Sequence, residues 1–254
     1  MSVVGYPTPG KRKATVILDA FCVGAGGKVS TDITRLRDGA AAFYGVVPGT
    51  LRIYERAIAE GRDVYYLDNA YFDPTREVYF RATRGRLQHD GCGASDGKRF
   101  DALGIPIKPW RESGSHVLLC PQSDSFMRDV AKYPGNWTQD TLAALRGLTD
   151  RELRVRPWTG NKRDWYRTLP EDLADCWALV TYSSASAITA MLAGVPAIVT
   201  AEDSIARPLA GRLADVEAPT KPDGRREWAS VVADNQWTLD EMRSGLCWRM
   251  LNDR

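Results

Sequence analysis

Tyr182-Ser183-Ser184-Ala185-Ser186 puts three serines within four residues, after an apolar run and before a stretch of small residues. If a strand ends at Tyr182 and a helix opens at Ser184, the helix start offers free backbone N–H groups and the positive end of a dipole. Serine hydroxyls would add compact donors, and the chemistry is the gripping of an anion such as a phosphate. The alternative is that Ser183 or Ser184 simply caps the helix. Pro121-Gln122-Ser123-Asp124-Ser125 follows another apolar run, so Gln122 and Ser123 are expected on the same edge. Arg156 and Lys162 lie at and beyond the end of a third run and could neutralise a diphosphate. A surface salt bridge is the other reading of each.

For these groups to meet, the chain must form a sheet whose strands point the same way. Residues 116–120, 153–156, 178–182 and 196–199 read as short strands, and helices are expected over 138–148, around 164–174 and over 184–193. Asn136 or Thr138 would cap the first of these helices, and Ile188, Met191 and Leu192 recur on one face of the last. Such alternation implies a parallel sheet with right-handed crossovers, with ligands beyond the carboxyl ends of its strands. In the first half, residues 15–21 read as a buried strand running into the loop Gly24-Ala25-Gly26-Gly27-Lys28. That loop does not complete a dinucleotide fingerprint, because Val29 stands where the third glycine belongs. A further apolar run spans 40–47, a helix capped by Thr50 is expected over 51–60, and strands over 64–67 and 78–83. Residues 84–111, rich in Gly, Asp, Lys and Arg, are the expected connection, and 225–251 read as one or two helices carrying Trp228, Trp237 and Trp248.

The stretch WALVTYSSASAITAMLAGVPAIVTAEDS, residues 177–204, resembles the C-terminal sugar-nucleotide unit of GT-B glycosyltransferases, especially those that build capsules and surface polysaccharides. The resemblance implies an α/β fold of two Rossmann-like domains facing a cleft, compact and built on parallel sheets. It divides the chain into an acceptor domain (1–110), a nucleotide-sugar domain (111–224) and C-terminal helices (225–254) packing back on the first domain. It also implies that Ser183, Ser184 and Ser186 meet the donor's diphosphate and that Glu202 holds the ribose. The donor would be a nucleotide-diphosphate sugar, UDP-linked in the first instance, with no metal required if basic groups and a helix dipole neutralise it. Two departures stand out: the chain is short for a GT-B enzyme, and the Glu-x7-Glu motif of many retaining members is absent.

Sugar transfer needs a group that takes the proton from the acceptor hydroxyl. Asp68, after an apolar strand, and His89, in a loop beside Asp90, are the candidates, with Asp19 near the end of the first expected strand a third. A turn or capping role is the alternative for each. Residues 65–89 and 235–251 also resemble segments of bacteriophage proteins, which suggests a hydroxymethylated pyrimidine in double-stranded phage DNA as the acceptor, ahead of a surface saccharide. Arg81, Arg84 and Arg86, with Lys28, would then meet phosphate, and Lys11-Arg12-Lys13 adds basic charge. Tyr71 and Phe72 would offer stacking faces. A solvated basic surface with core aromatics is the alternative.

Composition sets the outer bounds. Of 254 residues, 44% are hydrophobic and 26% charged, values of an ordinary globular chain with a sizeable core. Residues 1–110 carry sixteen Lys and Arg against twelve Asp and Glu, net +4, and the remainder is −2. The more basic half is the one a polyanion would meet. Five scattered cysteines without a CxxC spacing argue against a disulfide framework and against structural zinc. No apolar run approaches membrane-spanning length and no leader pattern opens the chain, so the expected location is the cytoplasm. Two other classes remain open: a nucleic-acid-binding protein that kept the fold without the catalysis, and a nucleotide-dependent epimerase or pyrophosphorylase-like enzyme.

Overall fold

The computed structural model describes residues 2–46, 48–72, 77–158 and 167–253. In chain order its elements are β1 (Val3–Tyr6), α1 (Arg12–Gly24), β2 (Lys28–Val29), β3 (Ala40–Tyr44), α2 (Pro48–Ala59), β4 (Val64–Asn69) and β5 (Phe80–Arg84). There follow α3 (Lys98–Leu103), β6 (His116–Cys120), α4 (Trp137–Arg146), β7 (Glu152–Val155), α5 (Leu169–Asp172), β8 (Cys176–Thr181), α6 (Ser186–Leu192) and β9 (Ala197–Val199). The chain ends in α7 (Arg225–Asp234), β10 (Gln236–Trp237), α8 (Leu239–Arg243) and α9 (Leu246–Asn252). Two compact units result: one runs to His89 and resumes at Ala233, the other is Asp90–Val232. These borders differ from those expected at 110 and 224. The Arg225 guanidinium lies 3.8 Å from the Trp110 ring centre, and Trp110 Nε1 donates to Pro222 O, so both flanks belong to the second unit.

In the first unit the strand order is β10-β5-β4-β3-β1-β2. β1 to β4 are parallel, and β5 runs antiparallel to both β4 and β10. Side-chain parity covers both faces. Val3, Ala40, Ala42, Tyr65 and Leu67 join one cluster, while Val4, Tyr6, Ala41, Phe43 and Val64 join the other. The first cluster takes in Ile17, Leu18 and Phe21 of α1 and Trp237, Met242 and Cys247 from the end of the chain.

Residues 15–21 are therefore not a strand. They lie inside α1, whose buried residues Ala14, Ile17, Leu18, Phe21 and Cys22 repeat at helical spacing, while Thr15, Val16 and Asp19 are exposed. The first strand is Val3–Tyr6 instead, and Gly5 lets α1 press on it: a Cβ there would come 2.9 Å from Cys22 Sγ. Thr50 is inside α2 and buried rather than its cap.

The second unit has a fully parallel sheet in the order β7-β6-β8-β9. Its core gathers Val117, Leu119, Trp137, Leu145, Val180 and Ile198. Asn136 caps α4 by accepting from Gln139 N. Both units thus lay their first four strands in the same order, second-first-third-fourth. The strand order reverses between β1 and β3 and again between β6 and β8, and the carboxyl ends of those pairs are where such sheets bind ligands.

Candidate functional site

At the carboxyl end of β6 and β8, two short loops touch. Gln122 Oε1 accepts from both Ser183 N and Ser183 Oγ, each at 3.1 Å. Ser183 is only 3% exposed, so its hydroxyl is turned into the protein while Gln122 is half-buried. Ser184 Oγ accepts from Ser186 N at 3.2 Å and is half-buried. Ser186 Oγ is enclosed and faces the Cys120 thiol, which burial pushes up to about 12. Helix α6 spans seven residues, shorter than the expected 184–193. Of the three serines, Ser184 is thus the one whose hydroxyl the fold leaves nearest to solvent. Ser123 Oγ accepts from Phe126 N and sits 3.2 Å from Ser125 Oγ, fixing the turn after β6. Glu202 is exposed three residues beyond β9.

The Arg156 guanidinium is committed elsewhere. It bonds Asp172 and donates to Arg167 O, and its side chain is 10% exposed, so it ties β7 to α5 instead of facing a diphosphate. Lys162 lies outside the described residues.

In the first unit, Asp68 is on β4 one residue from its carboxyl end. Its Oδ2 accepts from Arg81 Nη2 at 2.7 Å and from the Tyr66 hydroxyl at 3.1 Å, and its Oδ1 accepts from Asn69 N. Arg81 lies 5.0 Å from the Tyr71 ring centre and 5.9 Å from that of Tyr66. It is an internal cation, not one offered to a polyanion. Tyr71 and Phe72 are buried too, with their backbone N–H groups donating to Gln236 Oε1, so neither presents a stacking face. Arg84 is exposed and pairs with Asp63, and Arg86 is exposed. These two do not continue one extended run, because β5 ends at Arg84 and Gly85 turns left-handed at φ 69°.

Asp19 is on the exposed face of α1, away from any strand end. His89 is half-buried, its N–H donating to the Tyr71 hydroxyl. Lys28 is on the edge strand β2, beside a groove of about 760 Å³ that Ser2, Ser30 and Arg37 also line. A cluster that sequence reasoning missed lies at the ends of β3 and β4. Asn69 Oδ1 accepts from Lys13 Nζ at 2.8 Å and from the Tyr44 hydroxyl at 2.9 Å, and Lys13 also pairs with Glu77. Burial raises the Tyr44 phenol above its ordinary range. Position at the end of an apolar run was the available signal for Asn69; the pairing with Lys13 spans 56 residues and leaves no local trace.

Among the described residues no three His, Cys, Asp or Glu side chains are grouped to hold a metal ion, and no helix is long and apolar enough to cross a membrane.

No family model and no curated protein sequence matches the chain. Solved structures do. The chain is similar to the beta Kdo 2,7 transferase of Thermosulfurimonas dismutans KpsC, with a TM-score of 0.59 and 12% identity over 97% of this chain and 98% of that one. It is also similar to the beta Kdo 2,4 transferase of the same KpsC, with a TM-score of 0.52 and 13% identity over 90% and 89%. The fold is thus an α/β fold, with one mainly parallel and one fully parallel sheet, shared with these two transferases.

Proposed function

We propose that this chain is a glycosyltransferase that moves a sugar from a nucleotide sugar to a hydroxyl of a surface saccharide. The observation that carries this reading is a fold shared over nearly the whole chain with two transferases of one saccharide-related class. The donor site we assign to the β6/β8 edge, where Gln122, Ser123 and Ser184 supply polar groups and Glu202 is the ribose candidate. The acceptor we assign to the first unit. There Asp68 has its oxygens engaged and Asp19 stands on a helix flank, which leaves His89 as the base we carry forward. A base in DNA is the weaker acceptor, since Arg81, Tyr71 and Phe72 are turned inward.

The test is a thermal-shift screen of nucleoside mono- and diphosphates, followed by nucleotide release with saccharide acceptors. A ligand at a hundred times its Kd stabilises by about 2.7 kcal/mol, roughly 5 °C or more for a chain of this size. The His89→Ala variant should keep that shift and lose turnover. If uridine, guanosine, adenosine and cytidine nucleotides all leave the melting temperature unmoved, the donor site does not exist.

A further inference from the structure

We propose that Ser183 is a positioning residue: it holds the Gln122 carboxamide by its oxygen, so that Gln122 Nε2 is the group offered to the phosphate of a bound nucleotide. This rests on the nucleotide-sugar reading and gives two of its residues distinct roles.

The argument begins with what a backbone N–H can do. Ser183 N–H only donates, so the carboxamide atom 3.1 Å from it must be the oxygen, and the flipped orientation would set donor against donor. The Ser183 hydroxyl reaches the same oxygen and gives it a second tether. With Oε1 held by two bonds, the NH2 and its two hydrogens are fixed on the opposite branch of the planar carboxamide. Among the described residues Gln122 Nε2 makes no hydrogen bond.

Location supplies the rest. Gln122 is two residues past β6 and Ser183 two residues past β8, and these neighbouring strands are the pair at which the sheet order reverses. Ser183 is 3% exposed and Gln122 half-buried, so a solute arriving there meets the amide before the hydroxyl. A neutral donor held in one orientation suits a phosphate oxygen, because the bond is charge-assisted and its ordering cost is already met by the fold.

Gln122→Glu separates this role from a structural one. A glutamate oxygen accepts the same two bonds from Ser183, so the melting temperature should stay near the wild-type value. The outward NH2 becomes an anionic oxygen, and the affinity for UDP, GDP, ADP or CDP, each titrated in turn, should fall at least about tenfold. That loss should reverse as pH is lowered toward the introduced carboxyl's ordinary pKa of about 4.3, a profile the wild type lacks. A cycle of Gln122→Ala, Ser183→Ala and the double variant gives the second measurement, and it decides alone if Q122E melts early. The double variant should bind no more weakly than Q122A. Wild-type affinity in Q122E overturns the role of Gln122, and additive losses in the cycle overturn that of Ser183. If the wild type binds none of the four diphosphates and none of the corresponding monophosphates, the donor reading itself falls and takes both roles with it.

Discussion

Arg81 and Arg84 are three residues apart on β5 and have opposite fates. The first is enclosed, bonded to Asp68 and flanked by Tyr66 and Tyr71; the second is solvated beside Asp63. The same inward use of arginine recurs in the second unit. Arg111 donates to carbonyls of Leu173, Ala174 and Cys176, and Arg207 to those of Val199, Ala210 and Gly211. Each gathers three backbone carbonyls onto one guanidinium. A count of basic residues therefore overstates the positive surface of this protein. Breaking a buried ion pair strands a charge, whereas an exposed pair contributes little. Asp68→Asn should cost about 3 kcal/mol of stability and Asp63→Asn less than about 1 kcal/mol. Urea unfolding of the two variants compares them directly, and equal, small losses would mean that Arg81 is not held as an internal charge.

At the scale of elements, α1 shows how a local pattern misleads. Thr15, Val16 and Ile17 form a β-branched run that favours extended backbone, yet they lie in a 13-residue helix. The helical repeat of Ala14, Ile17, Leu18, Phe21 and Cys22 was present in the sequence. What selects it is burial against a sheet whose first strand is only four residues long. The end of α1 is pressed against the turn between α8 and α9, where a Cβ on Gly24 would stand 1.9 Å from Met242 O and 2.8 Å from Gly245 N. Gly26, two residues on, has open space but a φ of 66°. Gly24→Ala should therefore force backbone apart and cost about 1–3 kcal/mol or more, against about 1 kcal/mol for Gly26→Ala. Thermal melts of the pair test this, and a harmless G24A would mean that the contact between α1 and the end of the chain is loose.

At the scale of the molecule, two sheets whose first four strands share one order are built from unequal pieces of chain. The second unit is one continuous segment with its own core around Trp137, Leu145 and Ile198. The first is discontinuous and takes β10, Trp237, Met242 and Cys247 from the last residues. A fragment of residues 90–235 should accordingly unfold cooperatively by itself, since it holds a complete core and all four of its strands. A fragment of residues 1–89 should not, because its sheet lacks an edge strand and its helix α1 lacks Trp237 and Met242 as packing partners. Circular dichroism melts of both fragments decide the point; a folded 1–89 would show that the end of the chain is an ornament to that unit.

The sequence alone determined the strands β6, β8 and β9, because each is short, buried on both faces and reads as a largely apolar run, whereas the edge strand β7, with Glu152 and Val155 exposed, carries no such run. It likewise determined that Gln122, Ser123 and the serines near 183 stand at strand ends, since the polarity changes abruptly there. Tertiary structure decided which way each of those side chains turns. Whether a serine meets solvent or Gln122, and whether an arginine meets phosphate or Asp68, depends on a partner 61 residues away in the first case and 13 in the second. Hydrogen-bond direction is set by where that partner's atoms come to lie, and periodicity along the chain carries no information about it.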